Sequence, residues 1–458
     1  MKVKTIIEQA FLVILLLAVF LLKSVNVAAQ QNVTVTTSSD RNYRYSSSNK
    51  NGVYTIKVKD KGNKFKLEYE GEITLSDDDK DIVAISRGGF LEVSKSSFGG
   101  KRKLVIEAES GKLKKRYYVG WSEKSFIPEG KAWLAEILPD IVRSTTIGAK
   151  KRVNRFYNRG GATSVLGEID RLKSDYVKAK YYTILLDKNL NSSELVKVIE
   201  EVGDDVNSDY YLSEILQSNQ KAFLANSQSI SAYMKAAKNI GSDYYLSEVL
   251  TKAVKNADIS DDQLSELLQI SGNIGSDYYL SQLLIKILNN RDLNKTNMTK
   301  LMQISDNVGS DYYKSQVLKK ALNKKDLSKE NYNTFIASMD DVDSDYYASN
   351  VINSLLKKDL DNTSLDKLLN LINKNVNSDY YASGIYKRLS KKQLTEGQLI
   401  KVMESMDHIN SSNYLSQTLI TFASQVKRSS QRVKDTYLKV AKSINSDLYF
   451  GRAMKAIY

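Results

Sequence analysis

The word Ser208-Asp209-Tyr210-Tyr211 decides the fold of this chain, because it returns unchanged at a period of 34 residues. Self-similarity at a fixed period of this length is the signature of a helical repeat array, in which each repeat packs on its neighbours. Weaker copies begin one period upstream at Ser174 and downstream at Ser411 and Ser446. The six intact copies begin at Ser208, Ser242, Ser276, Ser310, Ser344 and Ser378.

Each period contains two helix starts. In the first, the serine of the word is a suitable N-cap residue, and the aspartate faces the positive end of the helix dipole. In the second, a capping box at Ser260 is combined with a hydrophobic staple between Ile259 and Leu264. Equivalent capping residues in other repeats are Asn191, Asn294, Ser328, Asp361 and Thr395.

These helix starts predict a stack of antiparallel helix pairs over residues 171–458. The period equals that of tetratricopeptide repeats, but their Trp, Gly-Tyr, Ala-Phe and terminal Pro pattern is missing. We therefore expect an αα solenoid of HEAT-like type with 34-residue repeats, eight to nine in number.

An alternating apolar pattern with period two replaces the helical pattern between residues 52 and 120. Residues 53–58 and 64–69 alternate on either side of a turn at 60–63, which is typical of a β-hairpin. We predict an α+β multidomain chain, with a small antiparallel β domain over 52–120 and a helical adaptor over 121–170. Further strands are predicted at 72–75, 82–86, 90–94, 101–108 and 112–119.

The first 29 residues have the pattern of a secretory signal peptide, with Lys2 and Lys4 before an apolar run over 11–22 and a predicted cut before Gln30. The apolar run has 12 residues, whereas a bilayer span needs about 20. After cleavage the chain is therefore not expected to be an integral membrane protein. Residues 30–51 are rich in Ser, Thr and Asn, which predicts a flexible leader.

The composition agrees with export from a bacterial cell. Cysteine is absent, which excludes disulfides, thiol nucleophiles and cysteine metal sites. We expect a periplasmic or secreted protein. Nucleic acid is not an expected partner, because the signal peptide directs the chain away from it.

Six basic residues in the adaptor form a candidate basic patch, with no acidic residue between them. Such a patch suits an anionic lipid surface, a polysaccharide or an acidic partner. The alternative, which we favour, is a solvated basic face on a chain of formal net charge +14. The six residues are Arg143, Lys150, Lys151, Arg152, Arg155 and Arg159.

The tyrosines of the words form the candidate ligand surface. Repetition places identical rings in a row, and aromatic rows suit elongated ligands such as a glycan or a peptide. In the alternative hypothesis, one tyrosine of each pair lies in the core and the other shields the seam between repeats, which is the usual role of consensus positions. The sequence leaves open which tyrosine is exposed. The candidate residues are Tyr210, Tyr244, Tyr278, Tyr312, Tyr346 and Tyr380.

Motifs for catalysis or for metal and cofactor binding are weak. His408 is the only histidine, so paired-histidine zinc motifs are excluded and a catalytic triad has no support. Residues 77–81 hold four aspartates but lack the calcium-loop pattern, so we expect an exposed acidic turn. The pair Gly160-Gly161 lacks the further glycines of a phosphate loop. We predict no catalytic residue, no metal site and no cofactor.

Residues 71–186 and the following Ser-Asp-Tyr repeats resemble an extracytoplasmic module of bacterial proteins that include beta-lactam-sensor (BlaR/MecR-type) membrane metallopeptidases. This chain lacks their His-Glu-x-x-His motif and their multi-span region, so protease activity does not carry over. The resemblance implies an exported sensory or interaction module. The matching segments are 71–73, 81–82, 86–93, 116–119, 133–139 and 152–153.

The functional expectation is an exported bacterial envelope scaffold or sensor module, not an enzyme, that binds a protein or peptide through its helical-repeat surface. The alternative is a glycan or cell-wall binding protein that uses the tyrosine row, with an anionic surface as a further candidate partner. A third hypothesis, an envelope hydrolase with two facing carboxylates, has no nominated residue pair.

Overall fold

The computed structural model describes residues 35–37, 43–60, 63–97, 100–256, 259–324, 329–358 and 360–458. The predicted signal peptide at 1–29 lies outside these residues. The chain divides into two compact units, Met1–Tyr181 and Tyr182–Tyr458.

The described part of the first unit holds the strands β1 Val35–Thr37, β2 Tyr43–Lys50, β3 Val53–Asp60, β4 Asn63–Glu70, β5 Ile73–Leu75, β6 Ile82–Ile85, β7 Phe90–Ser97, β8 Gly100–Glu109, β9 Lys112–Val119 and β10 Ser122–Lys124. Eight of these described strands form one antiparallel sheet in the order β1-β2-β3-β4-β7-β8-β9-β10, and β5 pairs with β6 in a separate hairpin. All the predicted strands are confirmed, including the β3–β4 hairpin with its Asp60–Asn63 pair.

The predicted flexible leader is wrong for the part that forms strand β2. This strand pairs with β3 over its whole length, from Tyr43 opposite Asp60 to Lys50 opposite Val53. A Ser- and Asn-rich stretch has few apolar side chains, which is why its composition suggested disorder. The free backbone groups of β3 offer hydrogen bonds to any neighbouring strand, whatever its side chains, and those bonds recruit β2 into the sheet.

The core of this unit lies between the sheet and the helix Lys131–Ser144. Trp133, Leu134 and Leu138 of the helix are buried in one cluster with Leu67 and Leu104 of the sheet. A short helical segment, Phe126–Gly130, precedes this helix, and the helix Ala149–Ile169 follows it. The predicted helical adaptor therefore has a structural partner in the sheet.

The Gly160-Gly161 pair marks a kink within the helix Ala149–Ile169. Gly161 has a φ of +61°, a backbone conformation that side-chain-bearing residues rarely adopt. These two glycines therefore have a backbone role.

The rest of the described chain is an αα solenoid of helix pairs, which confirms the predicted fold class. We call the helix that begins at each tyrosine word the A helix and the helix that follows it the B helix. The A helices are Asp175–Leu186, Asp209–Ser218, Asp243–Asn256, Asp277–Asn290, Asp311–Leu322, Asp345–Leu355, Asp379–Leu389, Ser412–Lys427 and Asp447–Ile457. The B helices are Ser192–Asp205, Ser227–Ala237, Asp261–Ser271, Lys295–Ser305, Lys329–Ala337, Asn362–Asn375, Glu396–Glu404 and Gln431–Ala441.

The B helices begin as the sequence predicts. Capping boxes are present at Asn191, Ser260 and Thr395. The side chains of Asn294 and Asp361 also accept a hydrogen bond from the first turn. The predicted cap at Ser328 lies outside the described residues.

The A helices begin differently from the prediction. The word serine occupies the N-cap position, but in the copies at Ser208, Ser276, Ser310, Ser344 and Ser378 its side chain makes no capping hydrogen bond. The neighbouring aspartate instead accepts a hydrogen bond from the backbone of the next repeat. Asp277, for example, accepts a hydrogen bond of 2.9 Å from the backbone N–H of Gly309.

This aspartate contact recurs through the array. The carboxylate accepts a hydrogen bond from a backbone N–H just before the A helix of the following repeat, at 2.7–3.1 Å. The aspartate therefore pairs a backbone amide at or just before the N-cap of the next A helix, whereas a capping serine would bind an amide of the first turn. The donor and acceptor pairs are Gly241 to Asp209, Gly275 to Asp243, Gly309 to Asp277, Ser344 to Asp311, Asn377 and Ser378 to Asp345, and Asn410 and Ser411 to Asp379.

Lysines make a similar contact at the opposite ends of the A helices. Lys324 Nζ donates to the carbonyl of Arg291, Lys358 Nζ to that of Lys324, and Lys392 Nζ to that of Lys358. Carbonyls near a helix C-terminus have no partner within the helix, and an ammonium group there also complements the helix dipole. Both ends of the A helices thus carry charged bonds between repeats.

None of the helices in the described ranges is long and apolar enough to cross a membrane. The apolar run at 11–22 is outside those ranges.

Replacing Asp277 by Ala should lower the free energy of unfolding by about 1–2 kcal/mol, because the amide of Gly309 loses its acceptor. Asp277→Asn keeps a side-chain oxygen and should lose about half as much. Urea unfolding followed by far-UV circular dichroism measures both. If the two variants were equally stable and within about 0.5 kcal/mol of the parent, this bond would not couple the repeats.

Candidate functional site

The first tyrosine of each word is exposed, and the six form a row along the A helices. Their exposed fractions lie between 40% and 61%. The second tyrosine of each word is half-buried, or fully buried in the case of Tyr211. The structure thus places all six candidate residues at the surface and answers which member of each pair is exposed. We call Tyr210, Tyr244, Tyr278, Tyr312, Tyr346 and Tyr380 the tyrosine row.

The tyrosine row is held by a continuous series of ring contacts. Each exposed ring lies 5.0–5.2 Å, by centroid, from the second ring of its own word. It also lies 5.7–6.2 Å from the second ring of the next repeat. The planes of neighbouring rings are inclined by 58° to 72°, the edge-to-face arrangement that aromatic pairs favour. The exposed tyrosines therefore both face solvent and pack across the seam.

A serine two positions after each tyrosine pair supports the row from below. Ser281 is fully buried, and its hydroxyl donates to the carbonyl of Tyr278 at 2.9 Å. Ser213, Ser247, Ser315 and Ser349 make the same contact. The repeated word is therefore Ser-Asp-Tyr-Tyr-x-Ser, and this second serine, visible in the sequence, is a feature that the sequence analysis missed.

Carboxylates lie beside the row at its N-terminal end. Burial raises the pKa of Tyr210 and Tyr244 above the ordinary tyrosine value, and the nearby Glu214 and Glu248 carboxylates add to the rise. Both hydroxyls are therefore protonated at neutral pH, and the hydroxyl of Tyr210 interacts with the Glu214 carboxylate.

Tyrosines outside the words occupy the core position that the alternative hypothesis gave to one tyrosine of each pair. Tyr233, Tyr386 and Tyr437 are fully buried. Their hydroxyls donate to the carbonyls of Val249, Ser405 and Ala453. The hydroxyl of Tyr233 thus reaches the A helix of the following repeat.

The candidate basic patch is largely a buried ion-pair network in the first unit. Arg152 is 1% exposed and donates to Asp79 at 3.0 Å, to Glu168 at 2.7 Å and to the hydroxyl of Tyr181. Arg155 donates to Asp79 at 2.6 Å. Our favoured expectation of a solvated basic face is therefore wrong for these two arginines.

The remaining four members of the candidate basic patch are only partly available to contact a ligand. Arg143 is paired with Glu168 at 3.0 Å, and the exposed Lys151 is paired with Glu72 at 3.1 Å. Lys150 and Arg159 are exposed. The structure therefore does not bring the six residues together as one open basic surface.

The expectation of an exposed acidic turn is confirmed for Asp77 and Asp78, which are exposed, and is wrong for Asp79. Asp79 is 8% exposed, with a φ of +57°, and it contacts the guanidinium groups of Arg152 and Arg155. The sequence places these opposite charges more than 70 residues apart, so neither composition nor local spacing pairs them. The cations that this turn attracts are the protein's own arginines.

The hydrolase hypothesis has two further candidate places, the turn that holds His408 and a cavity on the β domain. His408 lies in a short 3₁₀ turn, Ser405–His408, where its Nδ1 is 2.8 Å from the Ser405 carbonyl and its ring is 5.9 Å from that of Tyr386. A cavity of about 440 Å³ on the β domain is lined by Val83, Arg87, Lys112 and other residues, with no carboxylate among them. Neither place holds the two facing acids that the hydrolase hypothesis needs.

The observed elements define the class of protein: an antiparallel β domain followed by an αα solenoid. No protein-family model and no curated protein matches the chain. A designed self-assembling cyclic homo-oligomer is similar at 12% identity, covering 61% of this chain and 91% of its own, with a TM-score of 0.12. A de novo designed helical repeat protein is similar at 11% identity, covering 58% and 99%, also with a TM-score of 0.12. Likeness at these scores carries no functional argument.

Replacing Arg152 by Met should destabilise the first unit by about 3–5 kcal/mol, because Asp79 and Glu168 would keep buried charges without their main partner. Lys150→Met changes an exposed neighbour and should leave stability within about 0.5 kcal/mol. Both tryptophans of the chain lie in this unit and Trp133 is buried, so tryptophan fluorescence during urea unfolding reports on it. Equal midpoints for the two variants would contradict the structural role of Arg152.

Proposed function

We propose that this chain is an exported, non-enzymatic scaffold whose tyrosine row binds an extended segment of a protein or peptide partner. The observation that carries the proposal is the exposure of the same aromatic residue in six consecutive repeats. A cluster of large apolar groups on a soluble surface is a mark of an interaction site, and tyrosine is enriched in such sites. An elongated partner would contact several repeats at once.

The local chemistry favours a peptide. A tyrosine hydroxyl donates to a backbone carbonyl, while the ring provides apolar area at a low entropic cost. The rings are already fixed by their neighbours, so little side-chain freedom is lost on binding. A row of pre-ordered donors and ring faces therefore suits a chain that presents carbonyls and apolar groups at regular intervals.

A glycan is the second candidate, because it also stacks on aromatic rings. The half-exposed tyrosine rings support this alternative as well.

Export is supported by the N-terminal sequence pattern and by the absence of cysteine. The resemblance to an extracytoplasmic sensor module points the same way and remains a prediction.

Expression in a bacterial host followed by N-terminal sequencing of the purified protein should give Gln30 as the first residue. Recovery of the chain from the cytoplasm with its N-terminal 29 residues intact would contradict export.

Selection from a random peptide display library tests the binding proposal. Peptides selected by the purified chain should bind a triple variant, Tyr244→Leu/Tyr278→Leu/Tyr312→Leu, at least tenfold more weakly. Leucine keeps apolar contact with the second tyrosines, which helps the variant to fold. Tyr458→Leu, at an exposed tyrosine outside the row, is the matched control and should bind like the parent.

Two results would overturn the proposal. One is the absence of any enriched peptide, and the other is equal binding by the triple variant and the control. If purified peptidoglycan fragments were bound by the parent and lost by the triple variant while no peptide was selected, the glycan candidate would replace the peptide.

A further inference from the structure

The spacing of the tyrosine row restricts the conformation of a bound peptide. Tyr245 lies 6.0 Å from Tyr210 and 5.0 Å from Tyr244 by ring centroid, so these two exposed rings are at most about 11 Å apart. Stacked helices commonly lie 8–10 Å apart, which gives about the same repeat. A peptide that contacts successive rings must therefore present equivalent groups on one side about every 8–11 Å.

A polyproline II helix is the regular backbone that meets this spacing with the fewest residues. A polyproline II helix has three residues per turn and rises 3.1 Å per residue, so it repeats about every 9.3 Å on one side. A β-strand repeats on one face about every 6.6 Å, which is too short. An α-helix repeats on one side about every 10.5 Å, so it needs seven residues for each ring where a polyproline II helix needs three.

The surface of the row has the features that polyproline II ligands need. Most of the exposed large apolar side chains on the described A helices are the tyrosine rings. Each exposed ring contacts the second ring of its own word and that of the next repeat, so the row is a continuous aromatic surface. Proline-rich segments are recognised by aromatic side chains, and their pre-formed helix loses little entropy on binding.

The carboxylates beside the tyrosine row favour a basic peptide and indicate the direction in which it lies along the row. Glu214 and Glu248 follow the exposed Tyr210 and Tyr244 by one helical turn and lie near their rings. The equivalent positions of the next three repeats hold Gln282, Gln316 and Asn350, which are neutral. A cationic residue of the ligand is therefore best placed at the N-terminal end of the row.

We infer that the tyrosine row is a docking surface for a proline-rich segment in the polyproline II conformation, with a Lys or Arg cluster that faces Glu214 and Glu248. This inference rests on the proposed function and adds the class of peptide. Four turns of the ligand, about 12 residues, would contact the rings of four repeats.

Fluorescence anisotropy with three labelled peptides tests the inference on the purified chain. The probes are twelve prolines after two lysines, a Gly-Ser peptide of equal length after two lysines, and twelve prolines after two glutamates. The first should bind at least tenfold more tightly than either of the others. The Tyr244→Leu/Tyr278→Leu/Tyr312→Leu variant should lose at least tenfold in affinity for it, and Tyr458→Leu should lose nothing.

A second variant tests the charge contact separately. Glu214→Gln/Glu248→Gln should weaken binding of the lysine-tagged proline peptide about fivefold, through loss of two exposed ion pairs. It should leave binding of an untagged proline peptide unchanged. Equal affinity for the proline and Gly-Ser probes would overturn the assignment to the polyproline class. The proposed function would still stand if library-selected peptides bound the parent chain and lost affinity for the triple tyrosine variant. Equal loss for tagged and untagged peptides would overturn the charge assignment.

Discussion

The hydrogen bond that each word aspartate accepts from the backbone of the next repeat is the contact on which the solenoid depends. Asp243, Asp277 and their equivalents bridge successive A helices at the point where each helix begins. In a repeat array each unit has only its neighbours for support, so contacts between repeats are what make the array stable. A charged acceptor makes this bond stronger than one between neutral groups.

The same contact fixes the position of the tyrosines. The exposed ring follows the bridging aspartate directly in sequence, so its backbone is set by the aspartate on one side and by the buried serine below it. The edge-to-face contacts then order each ring against the next repeat. Binding and stability therefore use adjacent residues of one word, and the exposed tyrosine serves both.

Repetition explains why so much of the solenoid was predictable. Caps at Asn191, Ser260 and Thr395 are local signals, and the period places them in every repeat. The role of the aspartate was not predictable in the same way, because its partner lies 31 to 33 residues away and is a backbone amide. Local sequence therefore suggested that the aspartate interacts with the dipole of its own helix. In the structure the aspartate bridges two repeats.

The first unit shows the limit of local patterns more clearly. Alternation revealed its strands, but strand β2 is recruited by backbone pairing that composition does not record. Arg152 and Asp79 each belong to a run of like charges, and each run was interpreted as a surface. Both are buried because they neutralise each other, and only the fold brings them together.

Oxidative footprinting with residue-level mass spectrometry tests the central claim most directly, because it measures each tyrosine separately. In the free chain, Tyr244, Tyr278 and Tyr312 should react faster than Tyr245, Tyr279 and Tyr313. A bound proline-rich peptide should protect the first set. Equal reaction of both sets, or protection confined to residues outside the tyrosine row, would contradict the exposed and ligand-binding role of the row.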